Sequence, residues 1–110
     1  MKTKTVNEVL REAREYITDP ARWTIGRLER ADGSCCALGA VARFSGCAGY
    51  YPNDPEVDSP LYTEAVGVLG EHSRDAKEKF SSDVKVFRTN DQHGHEAVLE
   101  MFDRAIEATS

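Results

Sequence analysis

"GSCCALGAVARFSG", residues 33–46, decides how the rest of the chain is read. Two adjacent cysteines open a run of small and apolar residues that ends in glycine. Three readings compete: a reactive thiol at a helix start, half of a metal site, or a buried helix. Ser34 carries a hydroxyl suited to cap a helix running to about Ser45. On such a helix Cys36, Ala37, Ala40, Val41 and Phe44 share one side. Leu38 and Ala42 extend the apolar surface around most of the circumference, which places the helix inside the protein. Gly39 and Ala40 let another backbone come close. Gly46 suits the left-handed residue that ends many helices. The stretch therefore predicts a central helix wrapped by the terminal ones.

Outward from it, the two ends of the chain carry the clearest periodicity. Thr5 and Glu8 form a capping box. Val6, Val9, Leu10, Ala13, Tyr16 and Ile17 then give one apolar face, and Asp19-Pro20 stops the helix. At the other end Val98, Met101, Phe102, Ala105, Ile106 and Thr109 follow helical spacing, with Glu100 and Arg104 paired one turn apart. Asn90 or Asp91 is placed to cap that helix, and His95 falls in its first turn. Ser59-Pro60 starts a third helix whose buried stripe is Leu61, Tyr62, Ala65, Val66 and Leu69. It ends near Gly70 or continues, bent, through Ala76 to Phe80.

The segments between these helices are less regular. Residues 21–34 form a connector with the only tryptophan, Trp23, set to plug a core edge. Part of it reads as extended, with Asp32-Gly33 as its turn. "DVKVF", residues 83–87, alternates and reads as a short strand that can pair with residues 25–28. The expected architecture is mainly α: one domain over residues 1–110, about four helices around a central small-residue helix, with room for a short two-stranded element.

Composition narrows the function. The chain has 110 residues, 40% hydrophobic and 30% charged, which describes an ordinary globular domain. Its net charge of -5 repels phosphate backbones, so nucleic acid is not an expected partner. No apolar run approaches the roughly eighteen residues needed to cross a bilayer, so no membrane partner is expected. The start carries Glu8, Glu12 and Glu15 after its lysines and does not read as a signal peptide. Three cysteines make an odd count, two of them neighbours, which speaks against a disulfide framework. These features point to the cytoplasm.

Each candidate site has a functional and a plain reading. Cys35 or Cys36 at a helix start, with His93 or His95 as base and Asn90 or Asp91 as orienter, has the parts of a cysteine hydrolase or transferase. The plain reading packs Cys36 in the core and leaves Cys35 partly exposed. Zinc wants close ligand pairs. Cys35-Cys36, Cys47, His72 and His93-Gly94-His95 do not supply them, so no metal and no cofactor are expected. "TNDQHGHE", residues 89–96, is either a binding loop or a helix start whose Asn, Asp and Gly satisfy free N–H groups. The loop "CAGYYPNDPEVDSP" lacks a calcium register. Its Tyr50 and Tyr51, beside Asp54, Glu56 and Asp58, are the candidate protein-binding residues.

Taken together, "DPARWTIG", "DG", "CCALGAVARFSG", "TND" and "HGHEAVLEMFDRAIEA" resemble a family of small proteins of unknown function from actinobacteria and their phages. The resemblance rests on Trp23 and Gly26; Cys36, Gly39 and Ala40; Asn90 and Asp91; and His95, Val98, Leu99, Phe102, Asp103, Ala105 and Ile106. Residues 70–86 depart from it, being longer and more charged, and Arg88-Thr89 replace an aromatic before Asn90. The resemblance implies one compact helical fold and no particular activity. A phage origin is compatible with binding a host factor. The ranking from sequence is a non-enzymatic protein-binding domain first, a structural or oligomeric role second, and a cysteine enzyme using Cys35 or Cys36 with His95 and Asn90 third.

Overall fold

In the computed structural model, residues 5–27, 29–45 and 60–110 are described. α1 spans Val6–Thr18 and opens as its capping box requires. The Thr5 hydroxyl accepts from the Glu8 N–H at 3.1 Å, and the Glu8 carboxylate accepts from the Thr5 N–H at 3.1 Å. Val9, Leu10, Ala13 and Ile17 form its buried face. Asp19 ends it in an extended conformation and caps a short 3-10 turn at Pro20–Arg22 through the Ala21 N–H.

α2 spans Ala37–Phe44 and is buried at six successive positions, from Ala37 to Ala42. It starts later than Ser34 would have it. The Asp32 carboxylate takes both the Ser34 N–H (2.9 Å) and the Ser34 hydroxyl (2.7 Å), which holds Ser34 in the preceding turn. Cys36 stands at the N-cap instead, its sulfur 3.4 Å from the Gly39 N–H. α2 packs chiefly against α1, α3 (Pro60–Glu71) and α4 (Ser82–Arg88), whereas α5 (His95–Thr109) packs on α1 and α3. Of the two terminal helices, α1 is therefore the one that wraps α2. The buried apolar side chains form one cluster to which all five helices contribute.

α1 and α5 run antiparallel and are fastened at both ends. At one end the Asn7 amide donates to the Ile106 carbonyl (3.0 Å) and the Thr109 hydroxyl (3.1 Å). At the other, the His95 Nε2 donates to the Ile17 carbonyl at 2.6 Å. Arg14 grips Asp103 on the outer side, and Arg104 pairs with Glu100 at 3.0 Å as its one-turn spacing predicts.

No two-stranded element forms among the described residues. The connector makes only isolated bridges, Trp23 with Cys35 and Glu29 with Cys35. "DVKVF" lies in α4, which runs on into a π-helical turn at Thr89–His93. The reason is visible one turn further along. Val86, Thr89 and Asn90 are the buried positions, and their spacing of three and four is helical. Alternation over residues 83–87 alone is satisfied by either structure. α3 stops at Glu71, and the chain turns through residues 72–80, where the Arg74 N–H donates to the Thr89 hydroxyl at 3.2 Å. Asn90 and Asp91 do not cap α5. Gly94 does, at φ +91°, a backbone conformation that side-chain-bearing residues rarely adopt.

Candidate functional site

The polar centre of the molecule is the side chain of Asn90, which has no exposed surface. Its Oδ1 accepts from the Trp23 indole N–H at 2.6 Å and from the Ala37 N–H at 3.0 Å. Its Nδ2 donates to the Thr24 carbonyl at 3.0 Å and to Asp91 Oδ1 at 2.9 Å. A side-chain amide has two donors and two acceptor sites, so Asn90 is saturated. Ala37 is the first residue of α2, and its N–H has no partner within the helix. Asn90 supplies that partner from 53 residues away.

The neighbouring residues extend this junction. Asp91 Oδ1 also accepts from the Gly26 N–H at 3.2 Å. Gly26 sits at φ +77°, so the fourth residue of the W-x-x-G pattern is required for its backbone. The His95 ring lies against the Trp23 ring, with centroids 5.0 Å apart. Because a carbonyl can only accept, the His95 bond to Ile17 puts a proton on Nε2. That bond orients the His95 ring toward α1 and leaves Nδ1 as its basic nitrogen.

The cysteines are placed for packing. Cys35 is fully buried, not partly exposed, because the connector bridges on both sides of it turn its side chain inward. Its thiol is 3.6 Å from Glu29 Oε1 and 3.5 Å from the Gly33 carbonyl. Burial, followed by the Glu29 carboxylate, pushes the Cys35 thiol up to about 12. Burial also raises Cys36, and the N–H groups of Gly39 and Leu38 offset only part of that rise. The helix N-terminus acts on Cys36 in the direction an activated thiol needs, and desolvation outweighs it. Among the described residues no hydrogen bond joins either thiol to an imidazole. Cys36, Asn90 and His95 come near one another through Trp23 and Ala37, as parts of one junction rather than as a nucleophile, orienter and base.

Other candidates are dispersed. His93 lies 3.7 Å from Asp75, which Arg88 also holds at 3.1 Å. Among the described residues no three His, Cys, Asp or Glu side chains gather in a way that could hold a metal ion. Tyr50, Tyr51, Asp54, Glu56 and Asp58 lie outside the described residues, as does Cys47.

One concave feature adjoins the junction. A recess of about 500 Å³ is lined by Cys36, Leu38, Tyr62, Asp83, Phe87 and Asp91, among others. Phe87 is 40% exposed at its edge. The sequence does not reveal this site, because the alternation of residues 83–87 reads as a strand and Phe87 lies in α4.

The model of DUF6197, a family of unknown function, matches residues 1–108. The chain belongs to this family. No curated protein and no solved structure matches it. In this DUF6197 protein, Trp23, Asn90, Asp91 and His95 of the resemblance meet in the junction, and Asp103 pairs with Arg14 on the outer side of the α1–α5 seam. Among the described residues no helix is long and apolar enough to cross a membrane.

Proposed function

We propose that this DUF6197 protein is a small, non-enzymatic protein-binding domain of the cytoplasm. The observation that carries the reading is Phe87, two-fifths exposed at the mouth of a recess that also holds Leu38 and Tyr62. Aromatic side chains set in or beside a recess are frequent anchors of protein interfaces. Phe80 is equally exposed but already carries the Arg88 guanidinium 4.7 Å above its ring and does not line the recess. Two thiols raised by burial, neither hydrogen-bonded to an imidazole among the described residues, give the cysteine-enzyme alternative little to work with. The resemblance to proteins of actinobacteria and their phages supports a host factor as the partner, with a phage-encoded accessory role as the setting.

Photo-crosslinking tests this. Benzoylphenylalanine is placed at position 87 and, as a control, at the exposed position 107 of α5. The reading predicts a discrete protein adduct in lysate of the bacterium that carries the gene, formed from position 87 and not from position 107. Absence of an adduct, or equal adducts from both positions, overturns it.

A further inference from the structure

The recess has a charge as well as a shape. Among the described residues its lining carboxylates are Glu29, Asp83 and Asp91, and its one lining cation is Arg27. Arg43 of α2 pairs with Glu29 at 3.4 Å, so even with it counted the described residues set three carboxylates against two guanidinium groups. Asp91 is held in place by its bonds from the Gly26 N–H and the Asn90 amide. Asp83 is fixed at the start of α4 by the Ser81 hydroxyl at 2.6 Å. Carboxylates already positioned before binding lose little freedom when a cation arrives. Beside them stand two aromatic rings, Tyr62 and Phe87, and ring faces attract cations.

We propose that this recess takes an arginine side chain from an apolar-basic segment of the partner protein. The inference rests on the protein-binding reading and names the chemistry of its partner. Arginine fits better than lysine. Its flat guanidinium stacks on an aromatic ring while its N–H groups reach carboxylates in two directions. Its aliphatic stem lies along apolar surface such as Leu38.

The test is an NMR titration of the ¹⁵N-labelled full chain with acetyl-Leu-Arg-Phe-Arg-amide. The comparison probe is the same peptide with citrulline for both arginines, which keeps the shape and removes the charge. The arginine peptide is expected to shift the amides of Gly26, Leu38, Phe87 and Asp91 and to bind roughly tenfold more tightly than the citrulline peptide. Asp83→Asn and, separately, Phe87→Ala weaken it; both positions are exposed, and the spectrum itself reports that each variant is folded. Equal binding of the two peptides, shifts confined to another face, or no binding overturns the proposal. If position 87 still forms its protein adduct in lysate under any of those results, the binding reading stands and only the arginine specificity falls. If the adduct is also absent, both fall.

Discussion

The α1–α5 seam and the Asn90 junction hold the same molecule together by different means. The seam is apolar and repetitive: Val9, Leu10, Ala13 and Ile17 meet Val98, Met101, Phe102 and Ala105 within one buried cluster. Any of several side chains of similar volume can serve there. The junction is polar and singular. One amide joins the connector, the start of α2 and the π turn through four hydrogen bonds. No other side chain has two donors and two acceptors in that geometry except an amide of the same length. The seam supplies stability; the junction fixes which surfaces meet, and with them the wall of the recess.

The difference can be broken open by substitution. Phe102 is the largest fully buried side chain, and Phe102→Ala is expected to cost about 4 kcal/mol in urea unfolding, with the two-state transition kept. Asn90→Ala is expected to cost about 3 kcal/mol, because it strands the Ala37 N–H, the Trp23 indole and the Thr24 carbonyl at once. Asn90→Asp is expected to cost at least as much near neutral pH, since it turns the donor facing the Thr24 carbonyl and Asp91 into an acceptor and buries a charge. Were Asn90→Ala no more harmful than a surface change, the junction would have no claim to a structural role.

A smaller effect concerns the Cys35 thiol, which packs against this connector. In the unfolded chain it loses its proton near the ordinary 9.0, and in the folded chain only at about 12. The unfolded state therefore binds fewer protons between those values. The contribution of the neutral thiol is complete below about pH 9 and declines as pH rises toward about 12. Urea midpoints measured between about pH 8 and pH 10.5 should fall more steeply for wild type than for Cys35→Ala. Identical slopes would place the thiol in water. The smallest effect belongs to the outside of the seam. Arg14 and Asp103 form an ion pair that is largely solvated, and Asp103→Ala should change stability by at most about 0.5 kcal/mol.

The two regions also differ in how far the sequence reveals them. The seam is legible from period alone, since Val6 to Ile17 and Val98 to Thr109 repeat at helical steps beside a complete capping box. α2 is legible as a buried helix because small and apolar residues surround it. The junction is not, because its bonds join residues 53 to 67 positions apart, which local spacing does not register. Local spacing offers Asn90 or Asp91 as a cap for α5, whereas Asn90 accepts from the first N–H of α2 and Gly94 stands at the start of α5. The polarity of "TNDQHGHE" was the available signal, and its meaning depended on a fold in which α4 brings it to the N-terminus of α2. "DVKVF" is ambiguous for the opposite reason: five residues are too few to distinguish a period of two from one of 3.6, and they form part of α4. The recess at Phe87 exists only because that segment is helical, so the alternation conceals it.

The claim that the junction and the seam form one cooperative unit is tested most directly by hydrogen exchange at the indole N–H of Trp23. This is the only tryptophan, so it gives a single unambiguous signal, and its partner is the Asn90 amide. Exchange of this proton should be as slow as that of the Leu10 and Phe102 backbone amides, with the same denaturant dependence, showing that it opens only when the whole domain unfolds. An indole proton that exchanges freely while those amides stay protected would contradict the account.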